Sequence, residues 1–175
     1  MKTLTSTLGI ALSFFLFSFK SVKNDFIKLP NVNLTTLEGK AVNIGDLKSA
    51  KPTIICFWSI TDDASIQRIN AIQENYGANK NEVRIIAIST DNNTFIVKPK
   101  VLFSGWEFEV YMDSNQDFKR AMGVGNFQNT IVIDANGNTV YNNTNVKSEN
   151  ETALFAVVDN SIASAHNTSL LAKAE

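Results

Sequence analysis

Apolar residues recur along this chain in two rhythms. Thr53–Ser59 is rich in β-branched and aromatic side chains, as in a strand buried on both faces. From Asp62 onward the apolar positions spread out to Ile66, Ile69, Ile72 and Tyr76, close to helical spacing. The polar turn Thr61-Asp62-Asp63 separates the two rhythms. Thr61 is the expected N-cap, and the two aspartates place carboxylates where the helix dipole favours negative charge. A buried strand that runs straight into a helix N-terminus is where α/β folds place their chemistry.

The same alternation continues on both sides. Asn31–Thr35, a turn at Glu38-Gly39 and Ala41–Ile44 predict a β-hairpin that ends in a short helical turn. Gly77 and Asn79 stop the first helix, and Val83–Ser89 predicts a second buried strand. Thr94–Phe103 has mixed periodicity and contains Pro99; it predicts a short helix. Phe108–Asp113 predicts a strand, and Asn115–Met122 a helix closed by Gly123. Asn129–Asp134 and Thr139–Asn142 flank Asn136-Gly137, the strongest hairpin signal in the chain. Ser148-Glu149-Asn150-Glu151 reads as a capping box for a last helix with Leu154, Phe155, Val158 and Ile162 as its apolar positions. The chain turns polar near His166 and is expected to fray there. This order predicts an α/β domain: a central, mostly parallel sheet with helices on both faces, an N-terminal β-hairpin and a C-terminal antiparallel edge.

Composition sharpens only a few points. At 175 residues, one domain is expected, and 44% hydrophobic residues suffice for a core. A net charge of −1 gives no electrostatic case for nucleic acid or an anionic membrane as a partner. Lys2 followed by the apolar run Leu8–Phe19 predicts a signal peptide or membrane anchor over residues 1–21. The domain would then occupy residues 22–165, with a flexible tail at 166–175. No cysteine directly follows the apolar run, so a bacterial lipoprotein anchor is not expected. The single cysteine, Cys56, lies between Ile55 and Phe57 in the first buried strand, so it is expected to be a small buried hydrophobe.

The junction itself carries a resemblance. Phe57-Trp58-Ser59-Ile60-Thr61-Asp62-Asp63-Ala64-Ser65 resembles the F-W-A-x-W-C-x-P-C segment of thioredoxin-like proteins, in particular the TlpA/ResA-like branch of periplasmic thiol-disulfide reductases. Asp62 stands at the first cysteine position and Ser65 at the second. Gly123 to Asp134 is similar to the family pattern G-V-x-x-I-P-T-T-F-x-I-D, with Gln128 at the cis-proline position. A cis bond before a residue other than proline costs roughly 2.5–4 kcal/mol, so a trans bond is expected there. The likeness covers nearly all of Phe26 to Ile162. It implies a thioredoxin-like fold and an exported protein of a bacterial periplasm or cell envelope.

Thiol exchange needs a thiolate to attack and a second thiol to resolve the mixed disulfide. Asp62 and Ser65 supply neither. The expectation is therefore a redox-inactive envelope protein with a degenerate site at Asp62, Ser65 and Gln128. It would bind a protein or peptide at the former active-site edge, through Trp58, Thr61, Asp62, Asp63, Phe127 and Gln128. The alternative is a thiol-disulfide oxidoreductase or antioxidant protein acting through Cys56 or a partner's thiol. A third reading makes Asp62 and Asp63 catalytic carboxylates or cation ligands; helix capping explains both more simply. Asp91, Asp113 and Asp134 sit at predicted strand ends that could approach the same edge, but without the spacing of a metal loop. His166, the only histidine, lies in the tail, which disfavours a histidine-based site. No metal or cofactor is expected, and membrane contact only through residues 1–21, if they are retained.

Overall fold

The middle of the sheet is built from the two most apolar runs. In the computed structural model, which describes residues 29–47, 49–125, 129–143 and 151–171, β3 (Thr53–Trp58) is buried at all six positions and β4 (Arg84–Ser89) at five. They pair in parallel, from Thr53 opposite Arg84 to Trp58 opposite Ser89. β5 (Glu109–Met112) continues the parallel part on the far side of β4. The N-terminal hairpin, β1 (Asn33–Thr36) and β2 (Ala41–Asn43), is followed by a 3-10 turn at Ile44–Asp46. It joins antiparallel through β1 to β5. On the other flank β6 (Thr130–Ile133) pairs antiparallel with β3, and β7 (Thr139–Asn142) with β6. The seven-stranded order is β2-β1-β5-β4-β3-β6-β7. The sheet is thus mixed. Parallel pairing is confined to its three central strands, because both flanking strands return against their neighbours.

Alternation along β3 feeds two cores. Ile54, Cys56 and Trp58 face α1 (Asp63–Tyr76) and α4 (Glu151–Leu171), meeting Ile69, Ile72, Tyr76, Leu154 and Val158. Val97 of α2 (Thr94–Ser104) joins the same cluster. Ile55 and Phe57 face the other way, with Ile86, Ile88 and Phe118 of α3 (Asp117–Ala121). The rings of Phe57 and Phe118 stack at 5.3 Å. Tyr76 ties α1 to α4: its hydroxyl donates to the Phe155 carbonyl (3.1 Å) and to Asp159 Oδ1 (3.0 Å).

The chain is helical past His166, to Leu171, beyond the end of the apolar positions. Its polar side chains bond back into the helix, Ser164 Oγ to the Asn160 carbonyl (2.8 Å) and Thr168 Oγ1 to the Ser164 carbonyl (3.0 Å). His166 Nε2 lies 3.7 Å from Glu82. The apolar run Leu8–Phe19, Phe127, Gln128 and the first three residues of the predicted capping box lie outside the described residues. Among the described helices none is long and apolar enough to cross a membrane.

Candidate functional site

At the C-terminal end of β3 the chain turns through Ser59-Ile60-Thr61 into α1. The N-cap is Asp62, not Thr61. Asp62 has the extended backbone of a cap (φ −116°, ψ 92°), and its side chain accepts from the Ala64 N–H at 3.2 Å. The Thr61 hydroxyl is engaged elsewhere, 3.0 Å from Ser59 Oγ. Asp63 follows in the first turn, exposed, where the helix dipole favours it. Ser65 is only 1% exposed. Its hydroxyl donates to the Asp62 carbonyl (2.7 Å) and accepts from the Ser59 N–H (3.3 Å), so it closes the turn. Residues 62 and 65 therefore occupy the helix tip as the resemblance implied, and both side chains are used for local structure.

The sequence placed Asp91 near this edge but did not show that it holds the edge together. Asp91, just beyond β4, accepts from Ser59 Oγ (2.9 Å), the Ile60 N–H (3.0 Å) and Ser89 Oγ (2.8 Å). One carboxylate thus staples the β3–α1 junction to the β4–α2 junction. The signal was available in Ser89-Thr90-Asp91, a polar triplet directly after a buried strand, but its partner 31 to 32 residues upstream shows only in the fold. Asp113 reaches the same edge and caps α3, accepting from the Phe118 and Lys119 N–H groups at 3.2 and 2.8 Å. Asp134 does not reach it. Thr53 pairs with Ile133, which puts Asp134 at the opposite end of the sheet, where its carboxylate shapes the β6–β7 turn through the Asn136 and Asn138 N–H groups.

Beside the helix tip lies a polar concavity of about 300 Å³, lined by Ser59, Thr61, Thr90, Asp91, Asn92 and Gln116, among others. Gln116 stands at φ 56°, the left-handed region that residues other than glycine seldom adopt. Trp58 lies beneath this edge, wholly buried, and does not present its ring to a ligand, which corrects the expectation that it binds. Its indole stands edge to face with Trp106 at 4.9 Å, and its N–H has no hydrogen-bond acceptor among the described residues. Trp106 in turn donates to Asn70 Oδ1 at 2.8 Å. Phe127 and Gln128 fall outside the described residues. Among the described residues no three or more of His, Cys, Asp or Glu gather as metal ligands would.

The sole thiol is elsewhere. Cys56 points from β3 into the core, 1% exposed, and burial pushes its pKa from 9.0 up to about 12. The charge of Arg68 and a hydrogen bond with Thr130 offset part of that rise.

Known proteins frame this geometry. Residues 27–142 match the family described as AhpC/TSA. The chain is 32% identical over 112 residues to a protein named thiol-disulfide oxidoreductase ResA from Bacillus thuringiensis (strain Al Hakam), covering 63% of this chain. It spans 64% of the length of that curated relative. Among solved structures it is similar to an uncharacterized thioredoxin-like protein from Porphyromonas gingivalis, at 38% identity and a TM-score of 0.68, over 77% of this chain and 92% of that one. A secreted Mycobacterium tuberculosis disulfide oxidoreductase superimposes with a TM-score of 0.62 over 74% of this chain and 95% of its own. At 18% identity that second likeness shows the fold alone.

Proposed function

The chain belongs to the AhpC/TSA family and has its thioredoxin-like fold, and from that premise we propose that it is a redox-inactive member that works by binding. The site is the edge formed by Ser59, Thr61, Asp62, Asp63 and Asp91, and the partner an exported protein or peptide of the cell envelope. One observation carries the reading. The two helix-tip positions hold a capping carboxylate and a buried hydroxyl, while the only thiol lies inside β3. Neither a carboxylate nor a hydroxyl attacks a disulfide, so the tip keeps its shape without the electron transfer. The polar concavity beside it offers hydroxyls, amides and one carboxylate to a ligand's polar groups. The apolar run Leu8–Phe19 supports export.

Two experiments test the two halves. In a dithiothreitol-driven insulin reduction assay the wild-type chain should precipitate insulin no faster than buffer; turnover above buffer would overturn the redox half. A photo-crosslinking residue at Thr61 should give protein adducts in the exporting cell, and one at Asn136, at the far end of the sheet, should not. Equal yields, or none at Thr61, would contradict binding at this edge.

The names of the relatives favour a second reading, a thiol-disulfide oxidoreductase or antioxidant protein that uses Cys56 or a partner's thiol. It requires a reachable thiolate. Burial, which pushes the Cys56 thiol up to about 12, keeps it protonated at neutral pH.

A further inference from the structure

The helix α2 is apolar on two sides. Its inner side buries Val97, with Val101 packed against the core. Its outer side carries Phe95, Ile96, Leu102 and Phe103, and Phe95 and Phe103 are 91% and 90% exposed. Phe95 and Leu102, like Ile96 and Phe103, are seven residues apart, about two helical turns, so the four form one stripe. Pro99 lies in the middle of that stripe. Its neighbours Lys98 and Lys100 therefore fall about 100° to either side, along the two borders. The helix contains no Asp or Glu.

A continuous exposed patch of this kind marks a contact surface. Charge and shape choose its occupant. A second copy of the chain would bring four lysines to one seam, of which only the two Lys98 are answered, each by the Glu38 beside it. A protein groove would have to accept a convex ridge whose outermost rings touch almost nothing of their own chain. A lipid surface fits both features: the apolar stripe sinks among the acyl chains, and the bordering lysines lay their stems along it and reach headgroup phosphates. We propose that α2 is a membrane-surface helix that seats Phe95, Ile96, Leu102 and Phe103 in an anionic phospholipid leaflet. The ion pair of Lys98 with Glu38, 3.4 Å long, has side chains 45% and 71% exposed, so a phosphate can replace it at little cost. The net charge of −1 does not oppose this, because charge acts over roughly 8 Å at physiological salt and the field here is that of the helix. The apolar run Leu8–Phe19, if retained, would add the second attachment that stable anchoring needs.

The test uses the full chain with an environment-sensitive dye on Leu102→Cys; Cys56 is buried and leaves the dye one site in the folded protein. Vesicles of phosphatidylcholine, alone or mixed equally with phosphatidylglycerol, are added. The dye should shift to the blue on the anionic vesicles and much less on the neutral ones. Adding Phe95→Ser/Phe103→Ser should lower partitioning about tenfold or more. Lys98→Gln/Lys100→Gln should lower it about fivefold per lysine on anionic vesicles only. A dye that stays in water while the protein sediments with vesicles would overturn the proposal, since another segment would hold the membrane. Equal shifts on both vesicle types would also overturn it. So would a concentration-dependent shift without lipid, which would give the stripe to a second copy. A shift with lipid-free envelope extract but not with vesicles would give it to a protein.

Discussion

The junction from β3 into α1 and the junction from β4 into α2 stand side by side at one edge of the sheet, and they begin alike. Each strand ends buried, and each helix opens on a side-chain cap, Asp62 to the Ala64 N–H (3.2 Å) and Asn93 to the Phe95 N–H (2.9 Å). They differ in the turns that follow. α1 buries Ser65, Ile69, Ile72 and Tyr76, whereas α2 buries Val97 alone and turns its aromatic rings outward. At the first junction a capping carboxylate and a buried hydroxyl fit the helix tip, because packing there rests on residues further along the helix. At the second, more apolar surface is made than the fold uses. A cap decides where a helix starts; the placement of its apolar residues decides what it serves.

The largest effect should separate the two regions outright. Trp58→Ala empties a fully buried site beneath the first junction and should cost about 3–5 kcal/mol in urea unfolding. Phe95→Ser/Phe103→Ser on the second helix should stay within about 0.5 kcal/mol of wild type. Similar losses in both would mean that the outer face of α2 packs against something of the same chain. Asp91→Ala should come next, at roughly 1–3 kcal/mol, because it strands donors from Ser59, Ile60 and Ser89. Amide chemical shifts of both junctions should move together in that variant; a change confined to residues 89–95 would break the picture of a shared staple.

Smaller still are the caps. Asp62→Ala and Asn93→Ala should each cost about 0.5–2 kcal/mol. A gain in stability at Asp62 alone would show that its position is strained for function and not chosen for capping. The least localised effect is alkaline. Cys56 on the α1 side and Tyr111 beside Glu109 are both pushed up to about 12, burial being the main cause in each, with the Tyr111–Glu109 bond adding to the second. The unfolded chain releases these protons near 9.0 and 10.0, while the folded chain still holds them. The folded state then binds more protons, so stability should fall as pH climbs from about 9 to about 12. Cys56→Ala should flatten part of that slope in urea titrations, and changes on the outer face of α2 should leave it unaltered.

Much of this was legible beforehand. The runs TIICFW and RIIAIS announce buried strands because nothing polar interrupts them. Asn136-Gly137 announces its hairpin because few residues accept that turn. The identity of residues 62 and 65 needed only the order of the chain. The rest was hidden for physical reasons. The cap passed from Thr61 to Asp62 because the Thr61 hydroxyl meets Ser59, a tertiary choice between two suitable residues. The mixed periodicity of α2 is two apolar faces superimposed, which a single-period reading sees as noise. α4 runs on past its apolar stripe to Leu171, and there the hydroxyls of Ser164 and Thr168 are satisfied by its own carbonyls, which no apolar periodicity signals. The antiparallel return of β1 onto β5 joins segments far apart in the chain and leaves no local mark.

The most direct measurement is mass-spectrometric alkylation of the folded protein with excess N-ethylmaleimide in mildly alkaline buffer. With the thiol sealed inside β3, no adduct should form until denaturant is added, after which one should appear. A complete adduct within minutes on the native chain would place a usable sulfur within reach of solvent and contradict the account.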